Sequence, residues 1–295
     1  MKNTQKAYVA LFITIILWSS AFIGIRYDML SFSAGGLACL RYVFASLAII
    51  YPFMTSVSHK TIPNKKDILG FLLLGFIGFA IYNVALNLGE RTIDASEANF
   101  IIAQVPLIIS IISVLFLKEK LTVIAWSGFF ISLFGATIML FSHGGSININ
   151  FGLALLYIAC IANASYALGQ KFFLQKYSPI EITAYMMWAG TLPLLFYLPQ
   201  SVISLYHSSW KSIIIIIYLG VFPGAIAYLC WAYAFKYINA SKASSVMYFM
   251  PMITIIFAWI FLAEKTHIIT AIGGFIAMFG SFVINKSKEK TIIIK

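Results

Sequence analysis

Charge is scarce in this sequence. Only 10% of its 295 residues are Asp, Glu, Lys or Arg, and nine of them are acids. A soluble domain carries about 25% charged residues, so water cannot be the solvent of most of this surface. Cysteine is scarcer still. Cys39, Cys160 and Cys230 each lie inside an apolar run with no paired spacing, which excludes a disulfide framework and a zinc knuckle. His59, His143, His207 and His267 are scattered at or near segment ends, and a metal centre would have to draw ligands from four connectors. A Walker lysine loop, a nucleophile elbow and a zinc-binding helix motif are all absent. ATP hydrolysis by this chain is thereby excluded, and neither an enzyme nor a cofactor is expected. The net charge of +11 suggests nucleic acid at first sight. Its lysines, however, sit in short connectors and at the C-terminus and form no basic face, so nucleic acid is not an expected partner.

What is present is hydrocarbon. Hydrophobic residues make up 61% of the chain, and the mean hydropathy is +0.94. A bilayer-spanning helix needs about 20 apolar residues. The runs predict an all-α integral membrane protein with ten transmembrane helices, at 7–25, 33–55, 67–88, 95–117, 122–141, 151–170, 180–199, 212–235, 242–262 and 267–285. Threaded back and forth, these crossings gather fifteen of the 20 cationic residues at one set of ends, among them Lys2, Lys65, Lys171, Lys236 and Lys286. Four fall at the other ends (Arg26, Arg91, Lys211 and Lys265), and Arg41 lies inside a helix. Cytoplasmic loops collect Lys and Arg, so both termini are expected in the cytoplasm of a cell with a multi-pass protein in its inner membrane.

The chain also repeats itself. Over 93–135 and 238–280, an offset of 145 with no gap leaves 17 of 43 positions identical. Ala95-Ser96 returns as Ala240-Ser241, Pro106 as Pro251, Glu119-Lys120 as Glu264-Lys265, and Gly128 and Gly135 as Gly273 and Gly280. Two greasy helices match Ile with Ile by chance, but not a proline, an ion-pair dipeptide and two glycines at one offset. The halves are then 1–145 and 146–295, joined by the polar stretch His143-Gly144-Gly145-Ser146 to Asn150. Five helices per half is an odd number, so the second half enters the membrane from the opposite face. Inverted repeats of this kind are a device of secondary transporters.

Trp18-Ser19-Ser20-Ala21-Phe22, Leu40-Arg41-Tyr42, Ala95-Ser96 through Pro106 and the Glu119-Lys120 junction together resemble the EamA-type members of the drug/metabolite transporter superfamily. The resemblance covers nearly the whole chain. It implies ten helices in two inverted five-helix repeats and secondary transport of small metabolites such as amino acids. It implies mostly export, with uptake or exchange in some members.

Several polar residues within the spans are the candidates for solute contact. An intramembrane charge costs about 2.5–3.5 kcal/mol on insertion scales, so Arg41 should face a cavity or a partner. It reads as a carboxylate clamp or as half of a structural pair, with Glu97 the natural acid. Glu97 opens the fourth helix; it is either an ordinary helix-start acid or a carboxyl that carries a coupling proton. Asn83 and Asn87 share a helix face at i, i+4 and bind solute or glue helices. Asn99 and Gln104 lie one and two turns below Glu97. Trp18 and Ser19, with Asn163 and Tyr166 at the corresponding place in the second half, suit a cavity wall; Gln170, Trp188, Tyr228, Trp231 and Tyr248 could line its inner half. Pro106 and Pro251 should kink their helices and act as hinges. The expected partners are a small-molecule solute, the lipid bilayer and protons as coupling ion, in a monomer or homodimer.

Overall fold

The computed structural model describes residues 3–56, 63–117, 122–141, 151–238, 243 and 246–292. Among these residues every regular element is a helix. In chain order they are α1 (Asn3–Asp28), α2 (Ala34–Ser56), α3 (Lys65–Gly89), α4 (Ala95–Ile102), α5 (Val105–Leu117), α6 (Val123–Phe141) and α7 (Phe151–Phe173). There follow α8 (Pro179–Leu194), α9 (Leu198–His207), α10 (Trp210–Tyr237), α11 (Met250–Leu262) and α12 (Ile268–Ile292). The 145/146 junction and the Glu119-Lys120 pair lie outside the described residues.

Five of these helices are long and apolar enough to cross a bilayer: Asn3–Asp28, Ala34–Thr55, Lys65–Gly89, Phe151–Phe173 and Trp210–Tyr237. Shorter apolar helices cover Ala95–Ile109, Val123–Ile138, Val246–Leu262 and Ile268–Ile284. The run expected at 180–199 is interrupted: α8 gives way at Leu195–Tyr197 to a 3₁₀ turn before α9. Pro193 and Pro199 flank that turn and remove two backbone donors from the ladder. Large apolar side chains cover the outside, with Phe196, Tyr206, Trp210 and Val123 each more than three-quarters exposed. Arg41, Asn83, Asn87, Glu90, Asn99 and Gln170 lie inside. Such an inside-out arrangement suits a lipid solvent.

Proline acts differently from the kink expected of it. The run 95–117 is not one bent helix but two, separated at Ala103-Gln104, and Pro106 is the second residue of α5. Pro251 sits likewise at the start of α11, after a 3₁₀ turn at Val246–Phe249. In the first turn of a helix the missing N–H has no intrahelical role, so both prolines start a helix instead of straining one.

The offset of 145 extends over far more of the fold than the sequence match. α6 and α12, equivalent in the repeat, pack on each other through their glycines. A Cβ on Gly135 would collide with the Ala277 amide and lie 2.5 Å from the Gly273 carbonyl oxygen. A Cβ on Gly280 would collide with the Ser132 amide and lie 2.5 Å from the Gly128 carbonyl oxygen. Ser132 and Ala277 are equivalents, as are Gly128 and Gly273, and Gly135 and Gly280. Each contact is therefore made twice with the roles exchanged, which is the mark of a two-fold. The partner's number falls as the residue number rises, so the helices run antiparallel and the axis is perpendicular to them.

The same axis relates two π-turns. In α3, Tyr82 N–H bonds the Ile77 carbonyl; in α10, Ala227 N–H bonds the Phe222 carbonyl. Gly75, which precedes the first, approaches Met186 O and Gly190 N, and Gly220, at the second, approaches Arg41 O and Ala45 N. These too are equivalents in exchanged roles. Ser46 and Thr191, again 145 apart, hydrogen-bond each other directly at 2.9 Å.

Candidate functional site

The centre of the molecule is built where α1, α2, α3, α7 and α10 meet α4 and α11. Trp18, Ala21, Phe22 and Ile25 of α1, spaced at three and four residues, present one stripe to it. Arg41, Tyr82, Leu86, Ile102, Asn163, Tyr228, Met247 and Met250 complete the wall. Trp18 and Asn163 are repeat equivalents, and so are Ile102 and Met247. The chamber thus lies on the two-fold. Its free volume is about 20 Å³, room for one water, so a solute enters only after helices or side chains move apart.

Arg41 is 3% exposed. Its Nη1 donates to Asn83 Oδ1 at 3.1 Å and its Nε to the Leu219 carbonyl at 3.3 Å. Asn83 in turn donates to the Tyr42 hydroxyl at 3.0 Å and to the Phe79 carbonyl at 2.8 Å. Tyr42 reaches Tyr228 at 3.5 Å. The π-turn in α3 shifts the register that carries Tyr82 and Asn83, and the one in α10 does so for Tyr228; single π-turns of this kind occur often at functional sites. Trp18 donates its indole N–H to the Pro223 carbonyl inside the second π-turn, at 3.3 Å, and packs on Tyr228 and Trp231 at 5.3 and 5.1 Å between ring centroids.

Of the residues singled out from the sequence, Trp18, Arg41, Asn163 and Tyr228 line this chamber. Trp231 and Asn83 stand behind them. Ser19 points elsewhere, donating to the Met250 carbonyl at 3.2 Å, and Asn87 holds the Ala34 carbonyl at 2.9 Å. Asn99 donates to Thr254. Gln104 and Gln170 are buried away from the chamber, and Tyr166 packs edge-on against Phe79. Trp188 joins Phe53 and Tyr185 and donates to the Ser46 carbonyl at 3.2 Å; Tyr248 packs with Phe100 and Met278. Glu97 accepts from Thr270 at 2.9 Å, and the Arg41 charge acts on Glu90. Among the described residues no cluster of three His, Cys, Asp or Glu could hold a metal.

A second constellation, made of residues that the sequence marks only by their charge, lies at the end of the molecule that carries Arg26. There Arg26 spends all three guanidinium nitrogens. Its Nε donates to Glu264 at 2.9 Å, its Nη2 to Asp94 at 3.0 Å and its Nη1 to the Glu90 main-chain carbonyl at 2.5 Å. Asp94 occupies the N-cap of α4 without capping it, because its carboxylate is turned to Arg26. The cluster ties α1 and the α3–α4 connector in the first half to the α11–α12 connector in the second. Glu90 follows the last residue of the Lys65–Gly89 span and is fully buried. Burial pushes its carboxyl well above the usual range, against the opposing pull of Arg26 and Arg41. One signal could have found it: its repeat equivalent is Phe235, so a charge stands where the other half has an aromatic. At the opposite, lysine-rich end the halves stay tied on one side, where Asp67 of α3 accepts from Tyr177 at 2.7 Å and pairs with Lys176 at 3.4 Å. A groove of about 640 Å³ opens between Lys6, Val9 and Ile13 of α1, the Ser178–Glu181 start of α8, and Leu229, Tyr233 and Lys236 of α10.

The EamA-like transporter family model matches this chain twice, over residues 5–141 and 150–286. The chain belongs to the EamA-like transporter family. The two EamA matches fall on the two sets of helices that the two-fold relates. Among EamA relatives, an uncharacterized transporter of Bacillus subtilis, YdfC, is 30% identical over 95% of this chain and 90% of its own length. An uncharacterized transporter of Archaeoglobus fulgidus is 30% identical over 96% of this chain and 100% of its own. A probable terminal-alkyne amino-acid exporter of Streptantibioticus cattleyicolor is 28% identical over 96% and 94%. A solved crystal structure superposes with a TM-score of 0.66 over 94% of each chain at 16% identity, a likeness of fold. The protein is thus a membrane transporter of the EamA family within the drug/metabolite superfamily, and not an enzyme.

Proposed function

We propose that this protein is a secondary transporter that exports an amino acid or a related small metabolite by alternating access. The observation that carries the reading is the chamber's place on the two-fold, lined by Trp18 and Asn163 and by Ile102 and Met247 as equivalents from the two halves. An axis perpendicular to the helices lets the halves, 1–145 and 146–295, exchange conformations and so open a shared site to either side. The bound Arg26 end and the grooved lysine end accord with an inward-facing arrangement of ten crossings with both termini in the cytoplasm. Arg41 would hold a carboxylate through its two-donor fork. Asn83 and Asn163 would serve polar atoms, and Trp18, Tyr228 and Trp231 the apolar part of the solute. The helix breaks at Pro106 and Pro251 would serve as hinges. The Streptantibioticus relative's name agrees with amino-acid export.

The test is flux. Purified protein in proteoliposomes loaded with labelled amino acids should give saturable efflux of at least one of them. Flux seen only when a second solute waits on the far side would favour the exchange reading. A metabolite library that yields neither thermal stabilisation nor flux would contradict transport through this chamber.

A further inference from the structure

We propose that Glu90 is the proton-binding site of this transporter and that its protonation closes the Arg26 end; this rests on the transport reading above. Both Glu90 carboxylate oxygens are buried with no hydrogen-bond partner among the described residues. A charged carboxylate left so would cost several kcal/mol, so the arrangement seen is that of the neutral acid. The charged groups that act on it are Arg26 of α1, Arg41 of α2 and Glu264 of the α11–α12 connector. Asp94 at the start of α4 shares Arg26. Helix α7, which meets α3 at Gly89 through Leu156 and Gly152, brings no charged side chain over 151–160.

Release of the proton to water leaves a carboxylate that needs donors. Arg26 already holds the Glu90 main chain, but its nitrogens are committed to Asp94 and Glu264. A third carboxylate drawn onto the same guanidinium competes with Asp94 and Glu264 for its charge and so weakens the tie to Glu264. Losing Glu264 unties the two halves at this end; binding a proton from the outer side returns Arg26 to Glu264 and shuts it. Glu97, whose carboxylate accepts from Thr270, differs in having a donor in place.

The experiment reads access to the chamber without any solute. Ile25→Cys, at the chamber wall, is made in a chain whose three native cysteines are replaced, and reconstituted with the outer face accessible. Its reaction with an impermeant methanethiosulfonate is followed against pH. The ratio of that rate to the rate in the added Glu90→Gln background cancels the thiol's own titration. The ratio should be near one at low pH and rise at least about tenfold as pH increases. Glu90→Asp should keep a rise, displaced in pH. A second readout is thermal stability. A carboxyl whose native value is raised keeps its proton where the unfolded chain has lost it, so stability falls as pH climbs above about 4.3. Glu90→Gln should shrink that fall, with the buried Asp28 carboxyl of α1 left to supply a remainder. A ratio flat across pH, or a rise abolished by Glu97→Gln and not by Glu90→Gln, would overturn the proposal. Pumping without a pH-dependent ratio would leave transport standing and Glu90 refuted. A pH-dependent ratio with no flux would keep the Glu90 site and refute transport.

Discussion

Replacement of Arg41 by Ala should lower flux of a carboxylate-bearing solute by at least about a hundredfold, the loss expected when a charge-assisted hydrogen-bonded pair of about 1.5–3 kcal/mol per bond disappears. Arg41 is the one cation in the chamber wall among the described residues. Its loss also leaves Asn83 Oδ1 without its Arg41 donor and takes one donor from the Leu219 carbonyl, which heads the second π-turn. An orphaned buried acceptor costs about 1–3 kcal/mol, so the variant is also less stable and flux must be normalised to folded protein recovered from size-exclusion chromatography. Arg41→Lys separates the two effects. It keeps the charge but not the fork, so it should hold an intermediate flux. Folded Arg41→Ala with the parent's flux would show that the arginine serves packing alone.

The second large effect belongs to the α6–α12 contact. Gly135→Ala and Gly280→Ala each push a methyl against the backbone of the opposite helix, which cannot rotate away. Overpacking of this kind costs about 1–3 kcal/mol, and a protein of this size loses roughly 2–4 °C per kcal/mol. Because the contacts are the same with roles exchanged, the two variants should lose melting temperature by matching amounts. Gly24→Ala is the control: its nearest neighbours are the ends of the Leu219 and Ile215 side chains, which can shift. It should stay within about 0.5 kcal/mol of the parent. Unequal losses at Gly135 and Gly280 would mean that the two-fold does not govern packing at this contact.

The repeat was legible in the sequence only where residues, and not merely shapes, are retained. Pro106 and Pro251, or Gly135 and Gly280, do one backbone job that few residues can do. The rest of the two-fold is kept by geometry that unlike residues satisfy. A π-turn forms around Ile77-Gly78 in one half and Phe222-Pro223 in the other, and Trp18 lines the chamber in one half where Asn163 does in the other. Hydropathy on a membrane helix reports depth and not facing, so Trp188 and Tyr248 looked like chamber residues yet pack elsewhere. Arg26, Asp94, Glu264 and Glu90 stood in connectors, where charge first signals topology; their meeting depends on helix ends brought together from both halves.

The central claim is that the halves stand inverted about a common chamber, and sided labelling of Arg91 and Lys236 tests it most directly. These residues are repeat equivalents and both are exposed. Each is replaced by Cys in a chain with Cys39, Cys160 and Cys230 removed, and intact cells are treated with an impermeant maleimide. Position 91 should react from outside and position 236 only after the membrane is opened. Labelling of both from the same face would contradict the account.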